Sequence, residues 1–155
     1  MTEVQGGTRA NYTGRILEKF IEDRLKERGY TFIDKRKFKP SIYIGQPIYS
    51  KQFFLGQNLY NTNTYCDFVL YHPEKWNDCL VIESKWQESG GSVDEKYPFL
   101  ILNIQMRYPH KTILVIDGGG YKQGALEWIK GQVGNNLLAV MNMQEFNKWV
   151  NQENL

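Results

Sequence analysis

An uninterrupted apolar run at residues 79–82 (Cys-Leu-Val-Ile) is followed directly by Glu83, Ser84 and Lys85. A short apolar run of this kind is typical of a strand that is buried on both faces, as in the sheets of α/β proteins. Because side chains alternate along a strand, Glu83, Lys85 and Gln87 are expected on one face and Ser84 on the other. Open α/β sheets place their functional sites at strand ends. The run therefore predicts a central strand with a polar site at its end.

A second apolar segment, around Asp67, lies upstream, and residues 72–78 (His-Pro-Glu-Lys-Trp-Asn-Asp) predict a polar turn between the two. If the segments pair as antiparallel strands, Asp67 comes to lie beside Glu83. Mg²⁺ prefers oxygen ligands and is commonly held by one or two carboxylates together with a substrate phosphate. A neighbouring lysine such as Lys85 can orient a nucleophile or neutralise charge on a phosphoryl group. We therefore expect Asp67 and Glu83 to be metal ligands in a site for phosphodiester hydrolysis; a simple surface ion pair of Glu83 with Lys85 is the alternative.

The pattern of Asp67 followed by Glu83-Ser84-Lys85, extended by Gln87 to Glu-x-Lys-x-Gln, resembles the PD-(D/E)XK nuclease superfamily, also called restriction-endonuclease-like. Tyr65-Cys66 stands where some members carry a proline before the acid. The resemblance covers roughly residues 13–140. It implies an α/β fold with an αβββαβ core, in which a mixed central sheet is flanked by helices. It also implies that Lys85 is the catalytic lysine and that Gln87 supports the site.

Residues 13–28 predict an amphipathic helix, because the apolar residues Leu17, Phe20, Ile21 and Leu25 recur at helical spacing and Gly29 follows as a helix terminator. The glutamates Glu18 and Glu22 lie four residues apart, close to the apolar stripe. The superfamily resemblance implies that Glu18 is a third acid of the active site. A solubilising charge on an exposed helix face is the alternative for Glu18.

Positive charge is concentrated at the start of the chain. Residues 1–40 contain ten Lys and Arg against six Asp and Glu, whereas the remainder contains nine against eleven. The run 34–39 carries four cations, Lys35, Arg36, Lys37 and Lys39. Such a cluster suits a phosphate backbone, although a solvated surface loop has the same composition. We therefore name these four residues as candidate DNA contacts.

The segment after Gln87 contains Ser92-Val93-Asp94-Glu95, which matches a capping box and predicts a helix that runs to about Arg107. The superfamily resemblance implies that Ser92 and Lys96 approach the DNA backbone, and a helix amino terminus can hold a phosphate. A helix cap with no further role is the alternative. Gly118-Gly119-Gly120 lacks the spacing of a nucleotide-binding loop and predicts a turn.

Other segments complete the predicted order. Residues 41–44 and the patch 53–55 predict a strand or hairpin, and the polar stretch 57–64 predicts a loop that either recognises nucleic acid or only connects strands. Strands at 111–117 and 136–140, with helices at 122–132 and 143–150, follow. The expected order is αβββαβαβα, with the strand 111–117 lying centrally.

Length and composition favour one domain over residues 1–155, since 155 residues with 41% hydrophobic content can bury a core. The sequence contains no apolar stretch near the roughly 20 residues of a membrane span and no apolar segment typical of a signal peptide, so a cytoplasmic protein with no membrane association is expected. The two cysteines, Cys66 and Cys79, lack the spacing of a zinc site and are expected as free, buried thiols.

The residues and the resemblance together predict a Mg²⁺-dependent DNA endonuclease, restriction-like or homing-type, in which Mn²⁺ can substitute. Double-stranded DNA is the expected substrate. Because one small domain has one site and a duplex has two strands, a homodimer or higher symmetric oligomer is expected. The alternatives are a junction resolvase, an RNA nuclease or exonuclease, and a non-catalytic or partner-dependent module that binds nucleic acid.

Overall fold

A computed structural model of the protein describes residues 6–88 and 93–155, with side chains described within residues 13–88 and 94–155. Among the described residues, no helix is both long enough and apolar enough to cross a membrane. The helices are α1 (Gly6–Glu27), α2 (Phe38–Ser41), α3 (Val93–Met106), α4 (Gln123–Lys130) and α5 (Met143–Trp149), with a 3-10 turn at Ile42–Ile44 and a last helical turn at Val150–Asn154. The strands are β1 (Thr31–Phe32), β2 (Ile48–Gln57), β3 (Asn63–His72), β4 (Trp76–Trp86), β5 (Lys111–Asp117) and β6 (Leu137–Met141).

In the described part of the chain, six strands form one mixed sheet whose spatial order is the order of the sequence, β1 to β6. Strands β2, β3 and β4 pair as antiparallel neighbours, while β4, β5 and β6 run parallel. Helices cover the sheet, so the predicted α/β class, with its αβββαβ order and mixed central sheet, is confirmed. Strand β5, which was expected to lie centrally, has a neighbour on each side but is the fifth of the six strands, next to the edge strand β6.

The apolar run of β4 lies at the centre of this sheet. Leu80, Val81 and Ile82 are fully buried. Leu80 and Ile82 pack with α1 and α5, through Leu17 and Phe146 among others, whereas Val81 belongs to a cluster on the opposite face. The strand is therefore buried on both faces along residues 79–82, and its polar side chains lie at its two ends, Asn77 and Asp78 before this run and residues 83–85 after it.

Helix α1 follows the predicted apolar stripe, with Leu17, Ile21 and Leu25 fully buried against the sheet, and it ends before Gly29, whose φ is +86°. It starts at Gly6, earlier than the expected residue 13. Helix α3 lies on the other face, where Tyr97 and Ile101 pack against β5. These two helices enclose the carboxyl end of β4 from opposite sides.

The predicted strand at residues 41–44 is wrong, because α2 and the 3-10 turn occupy this segment. Tyr43 and Ile44 are 92% and 72% exposed, so the alternating pattern marks no buried face. Phe38, which is 1% exposed, anchors the segment instead. Gly45 ends the 3-10 turn in the left-handed conformation, at φ +74°, which breaks any extended continuation into β2.

Candidate active site

The register of β3 on β4 brings the two predicted acids together. Phe68 pairs with Ile82 and Val69 with Val81, so one further step places Asp67 opposite Glu83. The Ser84 backbone N–H donates a hydrogen bond of 2.8 Å to Asp67 Oδ2, and the Ser84 hydroxyl lies 3.3 Å from the same oxygen. The Asp67 carboxylate is therefore held against the end of β4.

Glu83 is a buried carboxyl beside a second carboxyl. Only 3% of the residue is exposed, and burial raises the pKa of Glu83 well above its ordinary value. Repulsion from Asp67 raises this pKa further, while the Lys85 ammonium and a hydrogen bond from the Asp67 backbone N–H lower it. The Tyr108 hydroxyl lies 3.5 Å from Glu83 Oε1. Negative charge at this position is therefore poorly compensated by the protein itself.

Lys85 is the cation beside these acids. Its Nζ lies 4.0 Å from Glu83 Oε2, and its side chain is 39% exposed whereas the Glu83 side chain is 4% exposed. The ammonium therefore lies between the buried carboxyl and solvent, from which a substrate arrives.

Glu18 of α1 reaches the same site from the other side of the sheet. Burial raises the pKa of Glu18, repulsion from Asp67 adds to this rise, and Lys51 and Lys85 oppose it. Lys51 Nζ lies 4.0 Å from Glu18 Oε2. The structure thus places Glu18 within the electrostatic reach of Asp67 and Lys85; its part in the chemistry stays a prediction.

Sequence reasoning missed Lys51 of β2. Its Nζ lies 3.5 Å from Glu22 Oε1 and 5.6 Å from the centre of the Phe68 ring. Burial raises the pKa of Glu22, but a 2.5 Å hydrogen bond from the Tyr49 hydroxyl and the charge of Lys51 outweigh it, so this pKa is lowered. Glu22 is therefore an ionised anchor for Lys51. A lone lysine within an apolar strand was the available signal, but its partners on α1 are distant in sequence.

Gln87, the last residue of the Glu-x-Lys-x-Gln pattern, is 3% exposed. Its Oε1 accepts a 3.0 Å hydrogen bond from the Tyr97 hydroxyl, and its Nε2 lies 3.4 Å from the Gly120 carbonyl oxygen. These contacts join β4 to α3 and to the turn after β5. Its role as a supporting residue of the active site stays a prediction.

The candidate DNA contacts lie at the surface. Lys35, Arg36, Lys37 and Lys39 are exposed. Lys35 Nζ lies 5.9 Å from the centre of the Tyr65 ring, so this end of the basic run is beside the strand that carries Asp67. Arg36 pairs with Asp34 at 3.0 Å.

The structure describes only one of the two candidate DNA contacts around the start of α3. Lys96 is exposed on that helix, whereas Ser92 lies outside the described residues. Contact of DNA with either residue, and with the basic run, remains a prediction.

Among the described side chains, no three His, Cys, Asp or Glu groups cluster as a complete metal site. Asp67 and Glu83 nevertheless fit a hard divalent cation. Both offer carboxylate oxygens, the half-buried Asp67 lies beside the buried Glu83, and burial together with repulsion from Asp67 raises the pKa of Glu83. Mg²⁺ needs few protein ligands, because water and substrate phosphate complete its octahedron.

Comparison with known proteins gives one family match. The model of the PD-(D/E)XK nuclease superfamily domain matches residues 9–154. No curated protein and no solved structure matches the chain. The match includes the strands β3 and β4 that bring Asp67, Glu83 and Lys85 together, and its fold agrees with the mixed, helix-flanked sheet. The chain therefore belongs to the PD-(D/E)XK nuclease superfamily.

Proposed function

We propose that this protein is a DNA endonuclease that depends on Mg²⁺, with Mn²⁺ as a substitute. The observation that carries the proposal is the arrangement at the end of β4, where the buried Glu83 lies opposite Asp67 and 4.0 Å from the Lys85 ammonium. Membership of a nuclease superfamily supports phosphodiester hydrolysis as the reaction. The choice of DNA and of magnesium is our inference.

Asp67 and Glu83 are the residues that hold the metal in this proposal. PD-(D/E)XK nucleases generally use divalent metals, and when bound such an ion polarises a phosphate and lowers the pKa of water. The chain's own contribution is orientation. The Ser84 N–H fixes Asp67 Oδ2, and the Asp67 N–H donates to the Glu83 carboxyl, so both carboxylates are held at the end of β4 before substrate arrives.

In this proposal Lys85 acts on the substrate. Its ammonium is partly exposed and is the cation next to Glu83, so it can orient an attacking water and neutralise charge that develops on the phosphoryl oxygens. Glu18, held near Lys51, is the third acid in this proposal, and it lies within the electrostatic reach of Asp67 and Lys85.

Double-stranded DNA and a symmetric homodimer, or a higher oligomer, complete the proposal. The exposed run Lys35, Arg36, Lys37 and Lys39 supplies positive charge that attracts the phosphate backbone. Two copies of the chain are the simplest way to present one site to each strand of a duplex.

The test is incubation of the purified protein with supercoiled plasmid and long linear duplex, in Mg²⁺, in Mn²⁺ and in chelator. Fragments that need metal and disappear in both Asp67→Ala and Lys85→Ala support the proposal. Lys19→Ala is the matched control, because Lys19 forms an exposed ion pair with Asp23 on α1. Cleavage that survives in Asp67→Ala and Lys85→Ala would contradict the assignment.

A divalent-ion thermal shift separates an enzyme from a module that only binds nucleic acid. A ligand that binds only the native state raises its apparent stability. We expect Mg²⁺ or Mn²⁺ to raise the melting temperature of the wild type and to have no such effect on Asp67→Ala. DNA binding without this shift and without cleavage would favour the non-catalytic module.

A further inference from the structure

An aromatic pair lies on the outer face of the β2–β3 ribbon. Phe54 and Tyr65 are register partners on the two strands, with ring centres 5.7 Å apart. Their neighbours Phe53 and Cys66 are buried in a core cluster, so strand alternation turns Phe54 and Tyr65 away from that cluster. Phe54 is 48% exposed and Tyr65 is 49% exposed. Two rings of this size half in water form an available apolar surface.

This pair lies next to the proposed active site. Tyr65 precedes Asp67 by two residues on β3. In the described pairing, β3 meets β2 from Asn63 onward but meets β4 only from Phe68 onward. Asp67 therefore lies where the ribbon separates from β4, and the aromatic pair lies just beyond it.

The end of the ribbon is fixed rather than free. The Leu59 backbone N–H donates a 2.8 Å hydrogen bond to Asn103 Oδ1 of α3, and the Tyr60 ring stacks on Phe99 with centres 4.5 Å apart. Because both contacts tie the ribbon to α3, Phe54 and Tyr65 have a defined position relative to the site. A preorganised surface loses less entropy when it binds a ligand.

A cation accompanies the rings. Lys35 Nζ lies 5.9 Å from the centre of the Tyr65 ring, and Lys35 is exposed at the start of the basic run. An aromatic surface with a nearby lysine suits a nucleotide, because the base stacks on the ring while the ammonium attracts a phosphate. A base within a regular duplex is already stacked on both faces, so it offers no face to these rings.

We infer that Phe54 and Tyr65 stack an unstacked nucleobase beside the phosphate that is cut. The substrate class is then DNA with an unpaired or extruded base at the cleavage position, such as a branch, a fork or a locally opened duplex. This inference rests on the proposed nuclease function and narrows its substrate.

Binding measured without cleavage tests the inference. The protein, in chelator, is titrated into three labelled DNAs of related sequence: a single strand, a regular duplex and a fork with two unpaired arms. Tyr65→Ala and Phe54→Ala remove one ring each, Tyr65→Leu keeps apolar volume without a ring, and Tyr65→Phe keeps the ring. Tyr43→Ala is the matched control, since Tyr43 is a 92% exposed tyrosine on another element.

We expect Tyr65→Ala and Tyr65→Leu to weaken binding of the single strand and the fork by roughly 5- to 150-fold. Tyr65→Phe and Tyr43→Ala are expected to bind like the wild type. Stacking carries no counterion release, so Tyr65→Leu leaves the salt dependence unchanged, whereas Lys35→Ala reduces the slope of log affinity against log salt by about 0.7 on a single strand.

Wild-type affinity in both Tyr65→Ala and Tyr65→Leu overturns the inference, as does a loss of equal size on the regular duplex. A loss in Tyr65→Phe as large as that in Tyr65→Leu also overturns it, because the stacking ring is still present. Thermal melting of each variant identifies any that fail to fold, and Tyr65→Leu then replaces Tyr65→Ala as the deciding comparison.

The outcome is distinguishable from failure of the proposed function. If ring-free variants lose fork binding but the wild type never cleaves in metal, the stacking surface stands and the nuclease proposal fails. If the wild type cleaves regular duplex and the ring-free variants cleave it equally well, the nuclease stands and the stacking inference fails.

Discussion

Gly118 lies directly after β5, near the site. A methyl group added at this position is expected to lower the free energy of unfolding more than one added at any other glycine near the site. Its φ is +105°, and a Cβ there would lie 2.4 Å from the carbonyl oxygen of Gln87 and 2.6 Å from its carbonyl carbon. Real Cβ atoms essentially never approach other atoms this closely. Two hydrogen bonds hold these two backbone segments together. The Gly120 N–H donates to the Gln87 carbonyl oxygen at 2.7 Å, and the Gln87 N–H donates to the Asp117 carbonyl oxygen at 2.9 Å. Backbone, rather than a mobile side chain, must therefore move.

The neighbouring Gly119 provides a matched control for Gly118→Ala. Its φ is +72°, and a Cβ there would meet no atom within 4 Å. Gly119→Ala therefore costs only the left-handed conformation, about 1–2 kcal/mol. Gly118→Ala adds an overlap comparable to core overpacking, about 1–3 kcal/mol more. The total for Gly118→Ala is then about 2–5 kcal/mol, a large part of the roughly 5–15 kcal/mol by which domains are stable.

Urea unfolding of the wild type and of the two variants measures these differences. Gly118→Ala is expected to lower the free energy of unfolding by clearly more than Gly119→Ala. It should also reduce cleavage more strongly under conditions where both variants are folded, because the displaced residue, Gln87, directly follows β4 and lies two residues after Lys85. A Gly118→Ala variant that is as stable as Gly119→Ala would refute the close approach of Gln87 to this turn.

Three further predictions follow from buried or half-buried polar groups. Burial and repulsion from Asp67 raise the pKa of Glu83. Between the unfolded pKa of about 4.5 and the folded pKa, Glu83 therefore keeps a proton in the folded state that it loses in the unfolded state. The free energy of unfolding consequently falls as pH rises through this range. Glu83→Gln should remove this loss of up to about 1.4 kcal/mol per pH unit in that window, as measured by urea unfolding across pH, while the exposed Glu74→Gln should leave it unchanged. Tyr49→Phe should cost about 1.5–3 kcal/mol in the same measurement, because it removes the hydrogen bond to ionised Glu22; an unchanged urea midpoint would contradict that contact. Asn136→Ala should cost about 2 kcal/mol or more, since the two N–H groups of Asn136 Nδ2 donate among three carbonyl oxygens at 2.7–3.1 Å, whereas the exposed Asn151→Ala should cost under about 0.5 kcal/mol.

Local patterns predicted most of the regular elements. The apolar stripe of α1 and the apolar runs of β4 and β5 can be recognised from neighbouring residues alone. The structure buries the residues of all three patterns. The strand prediction for residues 41–44 failed because the alternation of Ser, Ile, Tyr and Ile does not show which face is buried. The anchor Phe38 and the left-handed Gly45 decided that segment instead.

The candidate site was predictable where it depends on strand register. A short turn between β3 and β4 leaves few possible registers, and the buried run of β4 selects the one that places Asp67 opposite Glu83. Lys51 was not predictable in this way. Its partners Glu18 and Glu22 lie on α1, and their approach depends on how that helix packs across the sheet.

The sequence by itself determined the class of the fold, the central buried strand and the acid, acid and lysine at its end, because hydrophobic periodicity and strand alternation are local properties. The tertiary structure alone decided how buried Glu83 is, which lysines flank Glu18, and that Phe54 and Tyr65 face outward beside Asp67. At Gln52, which lies opposite Asp67, the backbone φ is +50°. On one side of this position Tyr49 and Phe68 pack in the core cluster under α1, whereas on the other side Phe53 and Cys66 pack in the cluster on the opposite face of the sheet. Burial, charge and exposure of these groups arise from contacts between residues far apart in sequence, and such contacts have no local signature.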